Sequence, residues 1–346
     1  MTSKLRDGLL ICFGNPLLDI SVNADQSLLQ KYDLKSNNAI LAEEKHKPLY
    51  EDLIKNYNVD YTAGGSAQNT ARITEKILKK SNVVVYIGCV GKDKYSEILE
   101  KKAREDGVDV RYQYTTEQPT GTCAVIITEN GKHRSLCANL AAATCFTINF
   151  VEEIENKRII TKADYYYITG FFLIVSPNTA LEIAKLALQK NKLFMMNLSA
   201  PYICHLFNSH LSPLIPYTDI IFGNETEAEA FSEVYCLGTK DIKEIALKIA
   251  NQSKHNIEKK RVVVITQGEQ PVIVARDNVI KEFPVNLLPP EKIIDTNGAG
   301  DAFVAGFLSQ LIQEKPYDVC VTCGNWAASE VVQQSGCTFA STKSFS

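Results

Sequence analysis

The sequence predicts an α/β fold: a mostly parallel sheet with helices on both faces, and a small β lid made from two separate pieces of chain. Three observations point there. Short, continuous apolar runs of strand length recur along the chain, amphipathic helical stretches fall between them, and two segments break that alternation. Runs without alternation suit strands buried on both faces, and alternating strands and helices give a parallel sheet.

Residues 9–13 (LLICF) open the series, and residues 83–87 (VVVYI), 165–168 (YYYI), 193–196 (LFMM), 220–222 (IIF) and 262–265 (VVVI) continue it. A helical stretch over 66–80 follows Gly64-Gly65. Residues 241–252 place Ile242, Ile245 and Ile249 on one stripe, with Lys243, Glu244 and Lys248 turned away. The interruptions are residues 16–61 and 119–144. In the second, Glu129-Asn130-Gly131 reads as a hairpin turn between CAVIIT and RSLCANL. The expected division is a large α/β nucleotide-binding domain of 1–16, 62–118 and 145–346, with a lid of 17–61 and 119–144.

The bulk numbers exclude several classes. Of 346 residues, 45 % are apolar, enough for a sizeable core. A net charge of −3 argues against a nucleic-acid footprint. The N-terminal MTSKLRDGLLICFG has too short an apolar run for a signal peptide, and nothing approaches the ~18 apolar residues of a membrane span. The expected location is the cytoplasm, or also the nucleus. Ten cysteines are scattered, several inside apolar strands, which suits buried free thiols. Cys320 and Cys323 form a lone C-x-x-C without a second pair or a completing His.

The chemistry concentrates in residues 294–303, IDTNGAGDAF. Gly298-Ala299-Gly300 can turn sharply, and the helix that starts near Asp301 presents free N–H groups and its positive dipole end. That is an anion site suited to a phosphoryl group. Asp301 beside it reads either as a general base on an attacking hydroxyl or as the cap of a core helix. A Walker A loop is missing, because Gly91-Lys92 and Gly131-Lys132 lack both the upstream glycine and the following Ser or Thr. The dinucleotide fingerprint fails where Phe303 stands.

In an open parallel sheet, ligands bind outside the C-terminal strand ends. Those ends here carry Gly14-Asn15, Thr169-Gly170-Phe171-Phe172, Asn197-Leu198-Ser199, Gly223-Asn224-Glu225-Thr226-Glu227 and Thr266-Gln267-Gly268. Asp19 and Asn69 are short polar groups suited to a sugar diol. Leu136, Leu140 and Phe172 could sandwich a flat base or simply pack a core.

Ala63-Gly64-Gly65 together with Asp295-Thr296-Asn297-Gly298-Ala299-Gly300-Asp301 resembles the two signatures of the ribokinase-like sugar and purine kinases. Gly14-Asn15-Pro16-Leu17-Leu18-Asp19, Pro119-Thr120-Gly121-Thr122-Cys123, Arg134-Ser135-Leu136 and Asn224-Glu225-Thr226-Glu227 are similar to the purine-nucleoside branch of that family, and the likeness spans nearly the whole chain.

The resemblance implies a three-layer αβα sandwich and ATP- and Mg²⁺-dependent phosphorylation of the adenosine 5′-hydroxyl to AMP, with a monomer as the favoured state. It makes Asp301 the base and gives the anion hole to Gly298, Ala299 and Gly300. Arg134, on the lid, would reach the phosphates. Asn15, Leu17, Asp19, Gly65, Ser66, Asn69, Cys123, Leu136, Ala138, Leu140, Phe172 and Asn297 would surround the nucleoside. Asn224, Thr266, Gly268 and Asn325 would lie along the nucleotide, with Asn224 and Glu227 organising Mg²⁺. Two departures stand out: Ala39, where such kinases often carry glutamine, and Asn325, where they often carry histidine. A kinase of the same fold for another nucleoside or sugar, and a non-catalytic nucleotide-binding protein, remain the alternatives.

Overall fold

The computed structural model describes residues 5–36, 38–131, 133–340 and 344–345, so the first four residues of the N-terminal stretch lie outside the described residues. Fourteen strands are found among the described residues: β1 (Leu10–Phe13), β2 (Leu17–Asn23), β3 (Ala39–Leu41), β4 (Asp60–Gly64), β5 (Val84–Gly91), β6 (Asp109–Thr115), β7 (Thr122–Thr128), β8 (His133–Asn139), β9 (Tyr165–Thr169), β10 (Leu193–Asn197), β11 (Ile220–Asn224), β12 (Val262–Gln267), β13 (Gln270–Arg276) and β14 (Val279–Phe283).

Nine strands form the larger sheet, in the order β14-β13-β12-β11-β10-β9-β1-β5-β6. From β12 to β6 every neighbour is parallel, whereas β13 and β14 close one edge antiparallel. The central strands are the continuous apolar runs, because helices cover both faces. Phe13, Ile168, Phe194 and Met196 enter one core, while Leu10, Cys12, Tyr86, Tyr167 and Phe222 enter the other. The expected strands all appear, extended by up to four residues at their C-terminal ends. β6, β13 and β14 were not anticipated. β6 and β14 are the sheet's two edge strands, where partial exposure thins the apolar signal; β13 lies just inside β14, and its residues 272–275 are buried.

The helix Ala299–Leu311 is almost wholly buried from Ala302 onward. It runs beside the helices Ser66–Leu78 and Tyr317–Val331 and sends Phe303, Val304, Phe307 and Leu308 into the second core. This packing fixes where its N-terminus points.

The smaller sheet has five strands in the order β3-β8-β7-β2-β4. Both segments that broke the alternation contribute to it, and β7 and β8 are the expected hairpin, with Cys123 opposite Ala138. Residues along β7 alternate between faces, as strand geometry requires. Ala124 and Ile126 join Leu49 and Leu53 of the helix Lys47–Asn56. Cys123, Val125 and Ile127 join Leu17, with Leu136, Ala138 and Leu140 packed against them. Cys320 and Cys323 are buried free thiols on the helix Tyr317–Val331.

At the opposite end of the large sheet from the site, Arg261 is 2 % exposed, and its guanidinium donates to the carbonyls of Thr218, Ile249, Gln252, Ile215 and Ser253. It ties the loops that lead into β11 and β12. Replacing it strands several buried acceptors at once. Arg261→Met is expected to lower unfolding free energy by about 3 kcal/mol or more, read from urea denaturation. A loss below about 1 kcal/mol would show that those carbonyls find other donors.

Candidate active site

The parallel arrangement brings the expected strand ends to one rim. Asn15 follows β1, Thr169 ends β9 with Phe171 just beyond, Asn197 ends β10 with Ser199 beyond, and Glu227 lies one turn past β11. All line a cavity of about 310 Å³, whose far wall is the smaller sheet. Its floor is Thr296, Asn297, Gly298, Ala299, Gly300 and Asp301. A second cavity of about 140 Å³ adjoins it, lined by Asn224 and Thr266 and sharing Asn197, Glu227 and Gly300 with the first.

The floor is shaped by two glycines with different tasks. Gly298 caps the helix at φ +76, and a Cβ there would stand 2.3 Å from Cys337 Sγ, so no larger residue fits. Around Gly300 nothing lies within 4 Å of a Cβ position, so what its bare backbone provides is room for a ligand. Ala299 N–H donates to Thr296 O at 3.3 Å. The N–H groups of Gly300 and Asp301 belong to the first turn, which lacks helical acceptors. Asp295 lies beneath the turn, 0 % exposed, and accepts from Asn297 N at 2.7 Å and from Gly336 N at 2.6 Å.

Asp301 does not cap its own helix. Its carboxylate reaches across to the helix Ser66–Leu78, accepting from Ser66 Oγ at 2.6 Å and Asn69 Nδ2 at 3.0 Å. Ser66 and Asn69, expected at the nucleoside, therefore also orient this carboxylate. Asn69 Oδ1 and Asn15 Oδ1 are buried at the cavity wall without a partner among the described residues. Buried polar atoms normally have partners, so both acceptors are open to a donor that enters the cavity.

Desolvation governs the acids. Burial raises the Asp301 carboxyl to about 6, opposed by the Ser66 and Asn69 donors. Asp19 lies against Gly64, where a Cβ would be 2.1 Å from its Oδ1. Burial, then the charge of Asp301, raises Asp19 to about 7. Glu227 is likewise raised by burial to about 7. Perturbed acids grouped in one cleft are a mark of functional sites.

Leu17, Gly65, Cys123, Leu136, Ala138, Leu140 and Asn297 also line the larger cavity, and Ala39 sits there too. Asn224 and Thr266 line the adjoining one, and four expected residues, Phe172, Gly268, Asn325 and Arg134, line neither. Phe172 is 0 % exposed and packs against Phe146 and Phe13, with ring centroids 5.5 and 6.0 Å away. The helical turn that begins at this point sends it into the core and leaves Phe171 facing the cavity. Gly268 lies in the tight turn between β12 and β13, where its φ of +57 serves the hairpin. Asn325 lines neither cavity and donates to Pro284 O at 3.4 Å. Arg134, from β8, forms a buried ion pair with Asp295. Asn224 and Glu227 bond reciprocally as a capping box, with Asn224 N and Nδ2 donating to the carboxylate at 3.0 Å. Ile174 and Tyr202 were missed, because each sits in a short helix whose residues gave no periodic signal.

Ser66→Ala removes the shorter of the two donors to Asp301. Its midpoint is expected to rise by about one pH unit, read from the carboxyl ¹³C shift. An unchanged midpoint would mean that the Ser66 bond does not stabilise the charged form.

A family model described as pfkB family carbohydrate kinase matches residues 26–344. Adenosine kinase 2 of Arabidopsis thaliana is 48 % identical over 338 residues, covering 98 % of this chain and 97 % of that protein. The adenosine kinase of Dictyostelium discoideum is 40 % identical over 329 residues, covering 95 % and 96 %. The crystal structure of Anopheles gambiae adenosine kinase in complex with P1,P4-di(adenosine-5) tetraphosphate superposes with a TM-score of 0.95 at 49 % identity, covering 99 % of this chain and 100 % of that one. Adenosine kinase from Schistosoma mansoni in complex with 2-fluoroadenosine gives 0.92 at 36 % identity, covering 98 % and 99 %.

Proposed function

The chain belongs to the pfkB family of carbohydrate kinases, and from that premise we propose that it transfers the γ-phosphoryl group of ATP to the 5′-hydroxyl of adenosine, giving AMP and ADP. The observation that carries the reading is the Asp301 carboxylate, held by Ser66 and Asn69 beside the open backbone of Gly300.

Asp301 takes the proton of the 5′-hydroxyl as that oxygen attacks. A carboxyl near 6 is mostly ionised at neutral pH yet basic enough to accept it. The amides of Gly300 and Asp301, at the positive end of their helix, hold the phosphoryl oxygens as charge develops; Gly298 and Ala299 shape the turn. Asn15, Asp19 and Asn69 hold the ribose with Gly65, and the two unpartnered amide oxygens support this. Leu17, Ile40, Leu136, Leu140 and Phe171 offer apolar surface for a purine, more than a free sugar needs. Residues 17–61 and 119–144 act as a lid that keeps water from the phosphoryl group. Thr266 and Asn224 line the adjoining cavity and lie toward ATP.

Mg²⁺ fits the donor set in one form only. No group of three or more His, Cys, Asp or Glu that could hold a metal ion is found among the described residues. Glu227 borders both cavities with Asn224 beside it, which suits a hydrated ion carried in with ATP. When bound, Mg²⁺ offsets charge on the transferring phosphates. No described helix is long and apolar enough to cross a membrane.

The deciding experiment is ADP release from ATP·Mg²⁺ with adenosine, other nucleosides, ribose and fructose as acceptors, on wild type and Asp301→Asn. Adenosine is expected to lead the panel, and the variant to bind adenosine while losing ~10² or more in kcat. A free sugar in first place would replace the acceptor, and full activity of the variant would remove the base. Glu227→Gln is expected to raise the Mg²⁺ concentration for half-maximal rate several-fold without weakening adenosine binding by calorimetry. An unchanged Mg²⁺ dependence would leave Glu227 as a helix cap alone.

A further inference from the structure

We propose that Asp295 is a positioning residue: it receives the lid's Arg134, and this ion pair latches the smaller sheet over the Gly298 turn. The proposal concerns how the phosphoryl-transfer site is assembled and rests on that reading.

Two neighbouring contacts form a seam. Arg134 of β8 pairs with Asp295, both nearly or wholly out of water. Just before β8, Gly131 lies so close to the preceding residue that a Cβ would stand 2.8 Å from Ile294 O. Hairpin and motif segment therefore meet at consecutive positions, 294 and 295, on one side.

The receiving side is rigid. Ile294 N and Asp295 N both donate to Val332 O, at 2.8 and 3.1 Å, and Asp295 Oδ2 accepts from Gly336 N. Its Oδ1 accepts from Asn297 N, at the start of the turn that leads to Asp301. One carboxylate thus joins three separate pieces: the lid hairpin, the segment after the last helix, and the turn. A buried carboxylate with two amide donors would hold the turn without a cation. The arginine adds a link to the lid, and removing either partner of the pair would leave the other charge buried and uncompensated. Seating Arg134 there also places its guanidinium beside the turn that meets the phosphates.

Two measurements test this. In ligand-free protein, hydrogen exchange of β7 and β8 is expected to rise about tenfold in Arg134→Ala and in Asp295→Asn, with β1 and β5 unchanged. In turnover, each variant is expected to lose about tenfold or more in kcat/KM, and the double variant no more than the worse single. Multiplicative losses, or unchanged lid exchange in Arg134→Ala, would overturn the latch. If Asp295→Asn loosens both sheets together, the exchange of Arg134→Ala alone decides. Because that exchange is read without substrate, the latch stands or falls separately from the acceptor assignment.

Discussion

The site depends on one carboxylate being kept out of bulk water at the start of a buried helix. Asp301 sits where the dipole of its helix would attract its charge, yet the surrounding walls desolvate it. Ser66 and Asn69 settle the contest by donating to both of its oxygens. Without them the carboxyl would titrate higher and lose its fixed direction. The helix itself cannot shift to relieve the strain, because its apolar side chains fill the core beneath the sheet.

Concentrating acids in one cleft has a cost that follows from proton linkage. Asp301, Asp19 and Glu227 all have folded-state values raised above their ordinary ones. The folded state therefore binds these protons more tightly than the unfolded chain does. Their effect on stability is absent below the ordinary carboxyl values of about 4, grows more adverse as pH rises from there to about 6 to 7, and levels off above that. Side chains that lower stability in this way are a pattern expected where function rather than folding selects them.

The two sheets divide the work. The larger one delivers loops from five strand ends to one rim, since parallel strands all point the same way. The smaller one is apolar on both faces, one covered by its own helices and one turned toward the site. A face of that kind needs a partner, and a flat purine with the rim residues would supply it. The seam at residues 294–295 is where the smaller sheet's hairpin meets the segment leading into the Gly298 turn.

Much of this was legible in the sequence. Continuous apolar runs such as VVVYI and YYYI can be read because burial on both faces leaves no other pattern. The Gly298-Ala299-Gly300-Asp301 turn can be read because its chemistry is local. The edge strands β6 and β14 could not, since partial exposure dilutes the signal. Nor could the choice between Phe171 and Phe172, which turns on one helical step and on whether Phe13 and Phe146 leave space. Residues 232 and 235 positions apart in Asn69, Ser66 and Asp301 become hydrogen-bonded only when two helices pack side by side. The residue types and local turns were determined by sequence. Which acid meets which donor was decided by tertiary packing, because burial and distance are properties of the assembled core.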